Sequence, residues 1–109
     1  MSVAIGALLV VHGLIHGLGA AKGFGWAQLP QLTQPISPVF GAIWMAAGLC
    51  FLGSAITLFA WPRGWWVVGA AAVVFSMVAI VPSWSDAKAG AVANVIVLAA
   101  IAQAWWTRG

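Results

Sequence analysis

The chain has 109 residues, 64% of them hydrophobic and only 5% charged, with a mean hydropathy of +1.09. A single small water-soluble core cannot hide that much apolar surface, so lipid is the solvent this composition requires. The net charge of +3 sets Lys22, Arg63, Lys88 and Arg108 against one acid, Asp86; it reflects a scarcity of acids rather than a basic patch, which argues against nucleic acid as a partner.

Four apolar stretches follow in chain order, at residues 2–21, 39–60, 65–81 and 87–106, each close to the ~20 residues that cross a bilayer as a helix. Backbone groups in lipid must be paired within the segment, which favours helices over isolated strands. The expected fold is all-α, a polytopic four-transmembrane-helix bundle forming a single domain over residues 1–109. An interfacial, Pro-interrupted connection is expected between helices 1 and 2.

The first stretch contains VHGLIHG, residues 11–17. It lacks a basic leading region, carries two histidines and exceeds the usual length of a signal-peptide core, so it reads as a retained helix, although residues 19–21 are small enough for a cleavage site. His12 and His16 lie four residues apart and stack on one helix face, which continues through Gly19 and Gly23. Gly13 and Gly17 form a small-xxx-small ridge about 100° away, so this ridge is expected to pack against a second helix while the histidine face lines a polar pocket.

Residues 22–38 form a long connection with Phe24, Trp26, Leu29, Leu32 and Ile36, interrupted by Pro30, Pro35 and Pro38. A solvated loop would waste that apolar area, and the prolines forbid one helix, so the segment is expected to lie along the interface. There it anchors the chain or roofs the polar half, with Thr33 and Gln34 over the histidines. Ser37 before Pro38 makes an N-cap and first-turn pair for helix 2. Trp44 falls about two turns inside that helix, where its indole N–H needs an acceptor. Cys50 is the single cysteine, which excludes an intramolecular disulfide; it reads as a small buried hydrophobe.

Residues 61–64, Trp-Pro-Arg-Gly, are a tight turn into helix 3, which Pro82 is expected to stop. Ser85 or Asp86 then caps helix 4 by accepting from its free amides, with pairing of Asp86 to Lys22 or to a protonated His16 as the alternative. Lys88 reads as a snorkelling anchor, Ser76 can bond back to its own helix, and Asn94 is a buried amide of the kind that joins helices. Tryptophans mark both boundaries: Trp61, Trp65, Trp66, Trp105 and Trp106 on the side of the termini, Trp26 and Trp84 on the other.

Depth along the helices puts His12, His16, Trp44, Ser76 and Asn94 in the half of the bilayer away from the termini, with Gln34, Asp86, Lys22 and Lys88 at its rim. The plainest role for the histidines is hydrogen bonding between helices. The alternative is a ligand, proton or metal role: His12 and His16 at this spacing match half of a zinc or copper site, which needs further N, S or O ligands. Haem held by two histidines of one chain is disfavoured because both sit on one helix; haem between two copies stays open.

The stretches HGLIHG, AKGFG, LTQPIS and WSDAKAG, followed by Asn94, resemble a family of small four-helix bacterial membrane proteins without an assigned chemistry. The likeness covers nearly the whole chain, and LTQPIS and DAKAG are its specific elements. It implies four spanning helices in a bacterial membrane and no functional residues to carry over. A looser likeness in size and helix count is to the DoxX-like membrane proteins, some linked to quinone and thiosulfate redox work.

The expected protein is thus a multi-pass component of the bacterial inner membrane, with a weak Lys and Arg preference for cytoplasmic termini. Its expected partners are the lipid bilayer and another membrane chain or a copy of itself. The expected role is a non-catalytic ligand-binding or accessory one, using His12, His16, Gln34, Trp44, Asp86 and Asn94; no cofactor is specified. The alternative is a membrane oxidoreductase subunit handling a quinone or metal. No nucleophile and base pair, phosphate loop or carboxylate dyad is present in the sequence.

Overall fold

A computed structural model describes residues 2–30 and 32–108. The elements are α1 (Ser2–Gly23), α2 (Pro38–Ala60), α3 (Trp65–Ile80), a 3-10 turn (Val81–Ser83) and α4 (Trp84–Arg108), and the described residues contain no strand. Ser37 caps α2 as its sequence suggests: extended backbone, Pro38 in the first turn, and the Oγ accepting from the Phe40 amide at 3.2 Å.

The end of α1 has a cause that the sequence analysis missed. Gly25 takes φ +74°, its N–H donates to the Lys22 carbonyl at 3.1 Å, and the Trp26 N–H donates to Ala21 at 2.8 Å. This pair of bonds is a Schellman motif, which needs a left-handed residue at that position and so favours glycine.

Three helical runs are long and apolar enough to cross a membrane, Ser2–Gly23, Pro38–Ala60 and Trp65–Thr107. Four separate spans were expected, and this is where the structure differs. Pro82 does not end the helical path: it sits in the first turn of the 3-10 segment, where its missing N–H has no intrahelical duty. Helical backbone therefore runs through Val81–Ser83 into α4, which begins at Trp84 rather than near residue 87. The 16 residues of α3 extend about 24 Å, short of the ~30 Å hydrocarbon core. Yet the run is sharply folded, because Ser76 and Asn94, which would stand about 27 Å apart on a straight helix, are 2.9 Å apart through Asn94 Nδ2 and Ser76 Oγ.

Close approaches fix the register. Between α1 and α2 they pair Gly6 with Phe59, Gly13 with Gly48, Gly19 with Trp44 and Gly23 with Gly41, an antiparallel series. Between α3 and α4 they pair Gly69 with Ile101, Ser76 with Asn94 and Ile80 with Gly90, again antiparallel. Each helix packs mainly on its neighbour in sequence, and α1 meets α4 only sparingly.

The expected ridge is only half used. A Cβ on Gly13 would lie 3.0 Å from the Gly48 carbonyl oxygen, but one on Gly17 would meet nothing within 4 Å. The tighter contacts belong to Gly19 and Gly23, on the histidine face itself: a Cβ on Gly23 would stand 2.6 Å from the Gly41 Cα. The same face therefore both packs α2 and carries the histidines.

Two apolar clusters form the interior. One, around Leu9, Phe51, Trp65 and Val97, fills the end near the termini; the other, Ala20, Trp44, Ala79 and Ile80, lies toward the long connection. Outward positions such as Val11, Ile15, Leu49, Ile56, Val74 and Val95 are exposed, as lipid-facing residues of a spanning helix are.

Candidate functional site

His12 and His16 turn inward from α1 and are 4% and 1% exposed. Their rings meet edge to face at a centroid distance of 4.5 Å. Phe51 packs against both at 4.5 and 5.2 Å, and Trp44 lies 4.9 Å from His16.

The hydrogen bonds around the rings fix their tautomers. A neutral imidazole has one N–H and one lone pair. His16 Nδ1 lies 2.8 Å from the His12 backbone carbonyl, which only accepts, so Nδ1 carries the proton. His16 Nε2 therefore accepts from Ser76 Oγ at 2.7 Å. Ser76 in turn accepts from Asn94 Nδ2, which also lies 3.1 Å from the Met77 sulfur. That leaves Asn94 Oδ1 as the acceptor for His12 Nε2–H at 2.9 Å, and makes Nδ1 the lone-pair atom of His12. One polar network thus ties α1, α3 and α4 together at fully or nearly fully buried positions.

Trp44 is the exception. Its ring is 6% exposed, and Nε1 is the one buried side-chain nitrogen or oxygen among the described residues without a hydrogen-bond partner. The acceptor that the sequence reading demanded for it is not supplied by the described residues.

At the rim, Asp86 has a role other than the expected cap. It lies inside the first turn of α4, and its carboxylate accepts from Thr33 Oγ1 and the Gln34 amide, both at 2.6 Å. The Gln34 side chain donates to Ser85 Oγ at 3.0 Å. From the other side Lys22 Nζ donates to the carbonyls of Leu32 and of Gln34, the latter at 2.6 Å. Lys22 directs its ammonium at these carbonyls, so in place of the alternative direct pair with Asp86 the two residues share a grip on the connection. Exposure alternates along that segment: Thr33 and Pro35 face out, while Leu32, Gln34 and Ile36 are half-buried. The residues expected over the histidines, Thr33 and Gln34, instead bind the start of α4, and apolar Leu32 and Ile36 form the roof.

Beneath that roof, between α1 and α4, is a cavity of about 270 Å³. His12, His16, Trp44, Ser83 and Asp86 contribute its polar groups, and its remaining walls are apolar. Its α4 wall is made of small residues, Ala87, Ala89, Gly90 and Ala93, whose short side chains leave the space beside α1 unfilled. Of the residues singled out from sequence, His12, His16, Trp44 and Asp86 line the cavity. Asn94 stands behind the histidines, holding His12, and Gln34 belongs to the roof's attachment.

No group of three or more His, Cys, Asp or Glu placed to hold a metal occurs among the described residues. Ligation by both His12 and His16 would have to displace a bond to His12 O, Ser76 or Asn94. Lys88 is exposed and Cys50 is a free, half-buried thiol.

The latch makes a direct prediction. Asp86→Ala removes both acceptors of Thr33 and the Gln34 amide, so hydrogen exchange at the Gln34 N–H is expected to accelerate at least tenfold, a loss of about 1.4 kcal/mol of local protection. Exchange at Phe40, held by the Ser37 cap, should stay unchanged.

No protein-family model, curated protein or solved structure matches the chain.

Proposed function

We propose that this chain is a small multi-pass protein of the bacterial inner membrane that holds an apolar small molecule in the cavity between α1 and α4, without catalysing a reaction. In this reading α3 and α4 are separate crossings joined at Val81–Ser83, giving a four-helix bundle. The single supporting observation is the cavity itself: a largely apolar space of about 270 Å³ bordered by His12, His16, Trp44 and Asp86. Binding sites for small molecules have this character, apolar walls with a few placed polar groups. The histidines sit in a hydrogen-bonded network whose one adjoining hydroxyl, that of Ser76 on His16 Nε2, is fully buried and also bonded by Asn94, which suits a wall better than a reacting centre.

The cytoplasmic placement of both termini belongs to the same proposal. A reporter fused after Gly109, which lies outside the described residues, checks it: activity only from a cytoplasmic reporter is expected.

Purification in lipid nanodiscs, solvent extraction and mass spectrometry test the binding role. The expected result is an apolar small molecule at close to one per chain, lost in Ala93→Trp, whose indole would occupy the cavity. A visible cofactor band, or a stoichiometric metal lost in His16→Ala, would replace this reading with that of an oxidoreductase subunit.

A further inference from the structure

Resting on the binding reading above, the occupant's chemistry can be narrowed. We infer that the cavity selects an apolar molecule about the size of one substituted ring, bearing an oxygen acceptor for the Trp44 indole N–H, and admits it sideways from the bilayer.

Three observations carry this. The first is the unpartnered donor. Trp44 lines the cavity and is more than nine-tenths buried, and its Nε1 has no partner among the described residues, although a buried indole N–H ordinarily finds one. Most of the adjoining network is engaged: Asn94 and Ser76 bond the histidines and His16 uses both ring nitrogens, while the His12 Nδ1 lone pair is a further acceptor rather than a donor. The indole N–H has already lost its hydration on folding, so an acceptor brought in by a ligand gains a hydrogen bond without a fresh desolvation cost to the protein.

The second observation is size and polarity. An apolar cavity of about 150 Å³ accepts benzene; one of about 270 Å³ has room for a ring with a short alkyl chain. The walls offer little else that is polar, so a second charged or strongly hydrated group on the ligand would be left without partners.

The third is the entrance. On the α1 side it is bordered by Val11, Ile15 and Leu18, which are exposed apolar residues, and on the α4 side by Ala89 and Ala93. These positions belong to the helical runs that face lipid, whereas the aqueous end is covered by Leu32 and Ile36, held down by Lys22 and Asp86. A molecule dissolved in the membrane reaches the site without crossing the roof.

The test compares 4-butylacetophenone with 4-butyl-isopropenylbenzene, in which a methylene replaces the carbonyl oxygen. Binding to the full chain in nanodiscs is measured, each ligand being corrected for its own partition into protein-free nanodiscs. The ketone is expected to bind about tenfold more tightly, the worth of one hydrogen bond to a buried donor. In Trp44→Phe, checked for an unchanged helical circular-dichroism spectrum, the preference should fall to near one while hydrocarbon binding persists. The nitrogen-15 spectrum of the indoles should show one N–H resonance, absent in Trp44→Phe, moving downfield with the ketone alone. Equal, saturable binding of both ligands, or a preference that survives Trp44→Phe, would overturn the oxygen selectivity and leave the binding role standing. Saturable binding of neither, with Ala93→Trp indistinguishable from the parent chain, would overturn the binding role and this inference together.

Discussion

Asn94→Leu should destabilise the protein by about 2–3 kcal/mol, although leucine has the same branched outline as asparagine and is better suited to lipid. Asn94 is 2% exposed and spans two interfaces: Oδ1 accepts from His12 on α1, and Nδ2 donates toward Ser76 and Met77 on α3. Leucine leaves the His12 Nε2–H buried with no acceptor. Hydrogen bonds between helices in membranes average only about 0.6 kcal/mol, because partners are also found when the helices separate. The larger figure expected here comes from the orphaned donor, which costs about 1–3 kcal/mol in itself. His12→Phe in the Asn94→Leu background should therefore recover part of the loss, and the double variant should be more stable than the sum of the single effects by about 1 kcal/mol. Reversible unfolding in mixed detergent micelles measures all four chains. Additive effects would mean that the His12–Asn94 bond contributes nothing.

Gly19→Ala and Gly17→Ala are expected to act in opposite directions although the two positions are neighbours on α1. A methyl group at Gly19 would stand 2.7 Å from Cγ and Cε3 of Trp44. That ring is rigid, buried and seated against His16, so relief requires moving α1 from α2, at about 1–3 kcal/mol. At Gly17 nothing lies within 4 Å of the same atom, and the helix gains up to about 1 kcal/mol from alanine's higher propensity. Micelle unfolding should give a lower stability for the first variant and an equal or higher one for the second. The Trp44 indole resonance should shift in Gly19→Ala only.

These two glycines also show where sequence reading stops. Periodicity placed His12, His16, Gly19 and Gly23 on one face and Gly13 with Gly17 on the next, and both faces carried small residues. Which one α2 approaches is decided by the fit of Trp44 and Gly41, residues more than 20 positions away, and no local pattern contains that information. Local chemistry was legible where it is self-contained: Ser37 with Pro38 starts a helix whatever surrounds it, and His12, His16, Ser76 and Asn94 fall at one depth because helical rise is constant.

Pro82 follows the end of α3 at Ile80 as expected, but the path beyond it was misjudged for a related reason. A proline forbids the helix behind it but tolerates the first turn of the next, so the backbone turns through Val81–Ser83 without losing helical character. Asp86 was equally ambiguous, since a carboxylate near a helix start can accept from its own amides or from anything brought close. Thr33 and Gln34 are brought close by the connection, more than 50 residues earlier in the chain, and they take it. The fold class followed from composition, whereas the roof, the cavity and the unsatisfied indole depended on such distant pairings.

The polar network behind the cavity, which holds three helices together, depends on the direction of its hydrogen bonds. Those bonds give the two histidines opposite tautomers, His12 protonated at Nε2 and His16 at Nδ1. Nitrogen-15 spectroscopy of histidine-labelled protein in lipid measures this directly. Two resolved rings, one of each tautomer, with the His12 pattern lost in Asn94→Leu, are the predicted result. Two rings of the same tautomer, or a single averaged signal from imidazoles exchanging freely with water, would contradict it.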